Sequence, residues 1–158
     1  MTPPLGTRRL KTGLILDTNL FVLLVVGLFD PAWIDKHKRT NSYTIEDFNR
    51  LKRVVGSYNR LVTLPNVLTE VSNLLAQTSD VIRRGLFDKL APLIKQTEEI
   101  HVPSSIPAKH PLFHTFGLTD LAIAELSGRQ YVVLTDDRKF ISFLDGLGVE
   151  TMDFRSLP

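Results

Sequence analysis

The chain contains no cysteine, which excludes disulfide frameworks, thiolate zinc sites, iron–sulfur clusters and cysteine nucleophiles. Any chemistry must rest on oxygen and imidazole. A long apolar run is missing too: the longest, Leu14 to Phe29, is interrupted by Asp17 and Asn19 and falls short of the ~18 apolar residues that a membrane span needs. No small-residue cleavage site follows it, so no secretory signal is expected and the expected location is cytoplasmic. A glycine-rich phosphate loop is absent, which argues against a nucleotide cofactor. Strong net charge is lacking as well, because 19 Lys+Arg against 17 Asp+Glu leave only +2. A polyanionic partner has to be argued from where the charges sit.

With 158 residues, 43% of them hydrophobic, the chain reads as one domain able to bury roughly 68–70% of its unfolded surface. Apolar runs of strand length alternate with stretches of helical period, the pattern of βαβ units and a parallel sheet. Strands are expected at Leu14 to Leu16, Leu61 to Leu64, Ile100 to Val102, Tyr131 to Leu134 and Val149 to Met152. The first helix begins at Asp17-Thr18-Asn19 and runs through Leu20 to Leu28, with Gly27 and Pro31 as stop signals. Thr44 and Asp47 form a capping box for a helix from Ile45 to Val55, and Pro65 opens the next. A helix covers Asp80 to Thr97. Pro103 to Phe116, with three prolines, reads as a loop. Thr119 caps a helix that Gly128 closes, and Arg138 to Gly146 is the last helix. Residues 1–12 read as a basic N-terminal arm, and Pro31 to Thr44 as a polar, basic loop.

The acidic residues are the informative feature. Asp17 follows the first strand and Asp136-Asp137 the fourth, so both lie where open α/β sheets place a ligand crevice. Glu70 lies in the second turn of the helix after strand two, and Asp120 at the start of the helix before strand four. Each has an ordinary explanation: Asp17 and Asp120 can cap helices, Glu70 can be solvated, and Asp136-Asp137 can form a turn. Together they fit one crevice. Buried carboxylates repel one another and resist ionisation, penalties that a divalent cation removes. An oxygen-only set favours Mg²⁺ or Mn²⁺, and such ions suit phosphodiester cleavage.

Four motifs occur in order: Leu14-Ile15-Leu16-Asp17-Thr18-Asn19, Leu64-Pro65-Asn66-Val67-Leu68-Thr69-Glu70-Val71, Gly117-Leu118-Thr119-Asp120, and Val133-Leu134-Thr135-Asp136-Asp137-Arg138-Lys139-Phe140. This series resembles the PIN-domain nucleases, whose best-known members are the VapC-type toxins of bacterial toxin–antitoxin pairs. The resemblance implies a single three-layer α/β/α domain over residues 13–158 with a central parallel sheet of about five strands. It implies Mg²⁺- or Mn²⁺-dependent hydrolysis of RNA with Asp17, Glu70, Asp120 and Asp137 as the acidic set, Asp136 as a further metal candidate, and Asn19 and Thr135 as supporting polar groups. An antitoxin partner and a homodimer are implied with it. The span from Asp17 to Glu70 is longer than in the compact toxins, so residues 31–60 read as a helical insertion.

From Lys36 to Arg60, seven basic residues face two acidic ones. This excess makes Lys52 and Arg53 candidate RNA contacts, alongside Arg138 and Lys139 next to the acidic pair. His37, His101, His110 and His114 have no metal-ligand spacing, although His110 and His114 precede Asp120 closely enough to approach it. Two other readings are a PIN-like domain that binds RNA or protein without cutting, and a phosphoryl-transfer domain with Asp17 as nucleophile.

Overall fold

The computed structural model describes residues 13–127 and 131–158. The expected arm at 1–12 and the expected helix stop at Gly128 lie outside the described residues. Five strands, β1 (Gly13–Leu16), β2 (Arg60–Thr63), β3 (Glu98–Glu99), β4 (Tyr131–Thr135) and β5 (Thr151–Asp153), form one all-parallel sheet in the order β3-β2-β1-β4-β5. Among the described residues seven helices flank it: α1 (Thr18–Phe29), α2 (Ile45–Gly56), α3 (Pro65–Leu75), α4 (Asp80–Gln96), α5 (Ser105–Ala108), α6 (Phe113–Ser127) and α7 (Arg138–Gly146). The chain steps from β1 outward to β3, then returns to β4 on the other side of β1. Right-handed crossovers therefore put α1 to α4 on one face and α5 to α7 on the other, giving three layers.

The order reverses between β1 and β4, and that switch point opens a crevice beyond the carboxyl ends of the two strands. Leu14, Ile15 and Leu16 pair with Val132, Val133 and Leu134. The Asp17 amide extends the ladder by donating to the Leu134 carbonyl at 3.1 Å. Beneath the crevice α1 is buried continuously from Leu20 to Gly27 and packs on α2, α3 and α4.

Gly27 is not a stop. It lies inside α1, where a Cβ would come 2.2 Å from Phe48 Cδ2. The helix instead ends at Asp30, whose side chain receives the Ala32 amide at 2.9 Å as Pro31 opens a 3₁₀ turn. Residues 31–44 form the expected loop between helices, mostly exposed, but it is anchored by four inward side chains. Ile34, His37, Thr40 and Tyr43, spaced by three, are all buried. Successive amides of Ile34, His37, Thr40 and Tyr43 bond to carbonyls three or four residues back. A chain of turns thus faces every third side chain inward, a period that matches neither a strand nor an amphipathic helix.

β3 is shifted from the expected 100–102 to an exposed pair of glutamates. Ile100 donates to the Thr63 carbonyl at 2.9 Å, and Val102 is buried beyond the end of the strand. An edge strand can expose polar side chains, so the assigned strand falls on the glutamates while Ile100 only continues the bonding to β2 and Val102 packs inward. β5 likewise lies two residues on from its expected start. The expected loop at 103–116 contains α5 and the beginning of α6. Pro107 is tolerated because the first amides of a helix have no intrahelical partner.

Candidate active site

Asp17 is the N-cap of α1, with Oδ1 accepting from the Leu20 amide at 3.0 Å. Its Oδ2 accepts from the hydroxyl of Thr135, the last residue of β4. Thr135 is fully buried, and its Oγ1 also accepts from the Asp137 amide at 3.1 Å. Asp137 in turn caps α7, both capping bonds from Lys139 (3.0 Å) and Phe140 (3.1 Å) landing on Oδ1. One threonine therefore ties the Asp17 carboxylate that follows β1 to the backbone of Asp137, the cap of α7.

Glu70 lies on the exposed side of α3, yet both its oxygens are held. Thr119 donates to Oε1 at 2.7 Å and Thr18 to Oε2 at 2.9 Å, so the carboxylate bridges the start of α1 and the part of α6 that follows its break at Gly117. The hydroxyl of Thr119, expected as a helix cap, goes to Glu70 instead. Gly117 makes that possible. At φ 79° and ψ −176° it occupies a region essentially reserved for glycine, breaking α6 just before Thr119 and Asp120.

Asp120 is half-buried, and its carboxylate receives no hydrogen bond among the described residues. Burial pushes its pKa up to about 6, with the charges of Asp137 and Glu70 adding to the effect. Burial pushes Asp17 up to about 7; the bonds from Thr135 and Leu20 oppose this, and the charges of Asp136 and Asp120 reinforce it. The five acids therefore share one electrostatic neighbourhood. Asp136 is engaged differently: its Oδ2 accepts from the Tyr43 hydroxyl at 2.5 Å and lies 3.7 Å from Arg155 Nε. Burial, and then Asp136, push the Tyr43 phenol far above its ordinary range, so it remains a donor.

Among the described residues, no three Asp, Glu or His side chains converge as a ready-made cation cage. Asp17 and Glu70 each have one protein donor on each carboxylate oxygen, which leaves about half of their acceptor sites open. In chemistry the set nonetheless fits a hard divalent cation. It consists of oxygen donors alone, it includes a half-buried carboxylate without a donor, and two of its members resist ionisation while the cluster is uncompensated.

Neither protein-family models nor curated proteins match the chain. Asn19 is exposed in the first turn of α1, beside Asp17. Arg138 and Lys139 are exposed in the first turn of α7, and Lys139 Nζ stands 6.0 Å from the Phe116 ring centroid. Lys52 and Arg53 are not brought to the acids. They lie roughly 10 Å along α2 from its start, toward the end that leads into the amino end of β2, opposite the carboxyl strand ends where Asp17 and Asp137 sit. His37 is buried, with Nδ1 accepting from the Arg39 amide. His110 Nδ1 accepts from the Leu112 amide, and its ring packs on Phe143; His101 and His114 are exposed.

Sequence reasoning does not single out Thr18, Thr119, Tyr43 or Arg155 as site residues. The two threonines adjoin Asp17 and Asp120, a signal that could have been used. Tyr43 and Arg155 carry none, because their bonding to Asp136 depends on packing.

Proposed function

We propose that the edge formed by Asp17, Glu70, Asp120 and Asp137 is the centre of a divalent-cation-dependent ribonuclease of the PIN type. The observation that carries this reading is Asp120: a half-buried carboxylate without a donor, facing like charges, at the topological switch point of a parallel sheet. Left uncompensated, that arrangement is unfavourable, and a bound cation relieves it.

Asp17, Asp120 and Asp137 would hold Mg²⁺ or Mn²⁺, with Glu70 beside them. When bound, such a cation supplies Lewis-acid polarisation of the phosphate and a more acidic water. Glu70 contributes orientation. Two of the roughly four acceptor sites on its carboxylate are filled by Thr18 and Thr119, and the remainder can align a water with the phosphorus. Thr135 holds Asp17 toward the crevice. Arg138 and Lys139 place positive charge next to Asp137 and attract the RNA backbone. A toxin role with an antitoxin partner and a homodimer follow the motif resemblance, and a cytoplasmic location is proposed with them. No described helix is long and apolar enough to cross a membrane.

The test is cleavage of a mixed RNA pool in Mn²⁺ by the wild type and by Asp17→Asn. Activity confined to the wild type and removed by EDTA is the expected result. Equal cleavage by both proteins, or cleavage indifferent to EDTA, overturns the assignment. The lack of a ready-made cage among the described residues favours one second reading, binding without cutting. RNA retention in EDTA with no cleavage at any Mn²⁺ concentration would establish it.

A further inference from the structure

Asp136 and Asp137 are adjacent in sequence and point into different surroundings. Asp137 contributes to the field at Asp120, together with Glu70. Asp136 contributes instead to the field at Asp17, and its Oδ2 takes the Tyr43 hydroxyl and the Arg155 guanidinium. Successive side chains at the end of an extended strand alternate in direction, which separates the two acids.

The partners of Asp136 are themselves fixed. Tyr43 is buried at the end of the turn series from Ile34, and its ring meets Phe154 edge-on, 6.4 Å between centroids. The Arg155 guanidinium stacks over the Tyr43 ring at 4.7 Å and reaches Asp47 Oδ2 at 3.5 Å. Asp47 is anchored by the Thr44 amide at 2.9 Å and by Arg50 at 3.0 Å. A connected set of side chains thus runs from the capping box of α2 through Arg155 and Tyr43 to Asp136.

We infer that Tyr43 and Arg155 are positioning residues that clamp Asp136 as an outer carboxylate beside Asp17, leaving Asp137 as the acid that the β4 end commits to the cation. The inference rests on the reading of this edge as a cation-dependent centre. Segment 31–58 accordingly serves the site: its Tyr43 steadies an acid 93 residues away. Arg155 supplies a positive charge opposite Asp136, so a fifth carboxylate can stand next to Asp17 with part of its repulsion offset.

Because Tyr43 acts only through Asp136, the deciding measurement is a double-mutant cycle on Mn²⁺ binding, read by calorimetry in the absence of RNA. Tyr43→Phe and Arg155→Lys, which keeps the charge but not the planar stacked fork, are each expected to weaken Mn²⁺ binding by about tenfold. Neither should have any further effect once Asp136→Asn is present. Asp137→Asn is expected to weaken binding more than Asp136→Asn does. Thermal unfolding of each variant confirms that it is folded, and Tyr43→Phe removes a single oxygen. Additive effects of Tyr43→Phe and Asp136→Asn, no effect of Tyr43→Phe, or an Asp136→Asn loss equal to that of Asp137→Asn each overturn the clamp alone. A wild type that takes up no Mn²⁺ overturns both the clamp and the cation-centre reading.

Discussion

Thr135 donates its hydroxyl to Asp17 Oδ2, so the residue that closes β4 holds the residue that follows β1. The bond spans 118 positions of sequence and joins the two strands on either side of the switch point. It favours the charged form of Asp17 against burial, which works in the opposite direction. Loss of the donor leaves burial less opposed.

Asp17 makes the cation-free protein sensitive to base. Folded, it keeps its proton up to about pH 7, whereas the unfolded chain releases it near 3.8. Between those values the folded state binds more protons, so the contribution is full below about pH 4 and is lost as pH rises through about 7, on the order of 4 kcal/mol. Asp120, raised to about 6, acts in the same direction. Denaturant unfolding in EDTA should show the wild type losing stability between about pH 4 and pH 7, with a smaller loss in Asp17→Asn, where Asp120 alone still contributes. In Thr135→Val, carboxyl NMR titration should find Asp17 releasing its proton at higher pH still. A flat wild-type profile would contradict this account of the site.

Glu70 owes its orientation to two hydroxyls and not to burial. Thr18→Val with Thr119→Val is expected to lower kcat on RNA by about tenfold or more while shifting stability by only about 1 kcal/mol, because Glu70 is exposed. Steady-state cleavage kinetics and thermal unfolding of one preparation separate the two effects. Unaltered kcat would deny Glu70 an orienting role.

Arg138 and Lys139 stand beside Asp137, whereas Lys52 and Arg53 lie along α2 away from the acids. Charge removal at the first pair should weaken single-stranded RNA binding and reduce the salt slope by about 0.7 for each phosphate that is no longer neutralised. The same change at Lys52 and Arg53 should leave both quantities unaltered. Fluorescence titrations at several salt concentrations provide the comparison, and equal weakening from both pairs would contradict the confinement of the proposed RNA contacts to α7.

Gly27→Ala forces a methyl group against the buried Phe48 ring, 2.2 Å from Cδ2. A loss of about 1–3 kcal/mol is expected from such overpacking. Mn²⁺ binding should persist, since the substitution lies near the far end of α1 from Asp17. Chemical denaturation and calorimetry check the two halves of this prediction.

Much of the fold was legible locally. The apolar triplets of β1 and β4, the capping box at Thr44 and Asp47, and the N-terminal Pro65 each carry their signal within a few residues, and α7 begins and ends at the expected Arg138 and Gly146. So does the placement of Asp17, Asp136 and Asp137, because a strand that ends on an acid presents it at the sheet edge. The tertiary structure decided the rest. Glu70 meets Thr18 and Thr119 across 52 and 49 positions, and Tyr43 meets Asp136 across 93. Pairings of that range depend on strand order and on which helices share a face, and neither is written in local periodicity. The same reason turned Gly27 from an apparent helix stop into the seat of an aromatic ring, and gave two adjacent aspartates different neighbours.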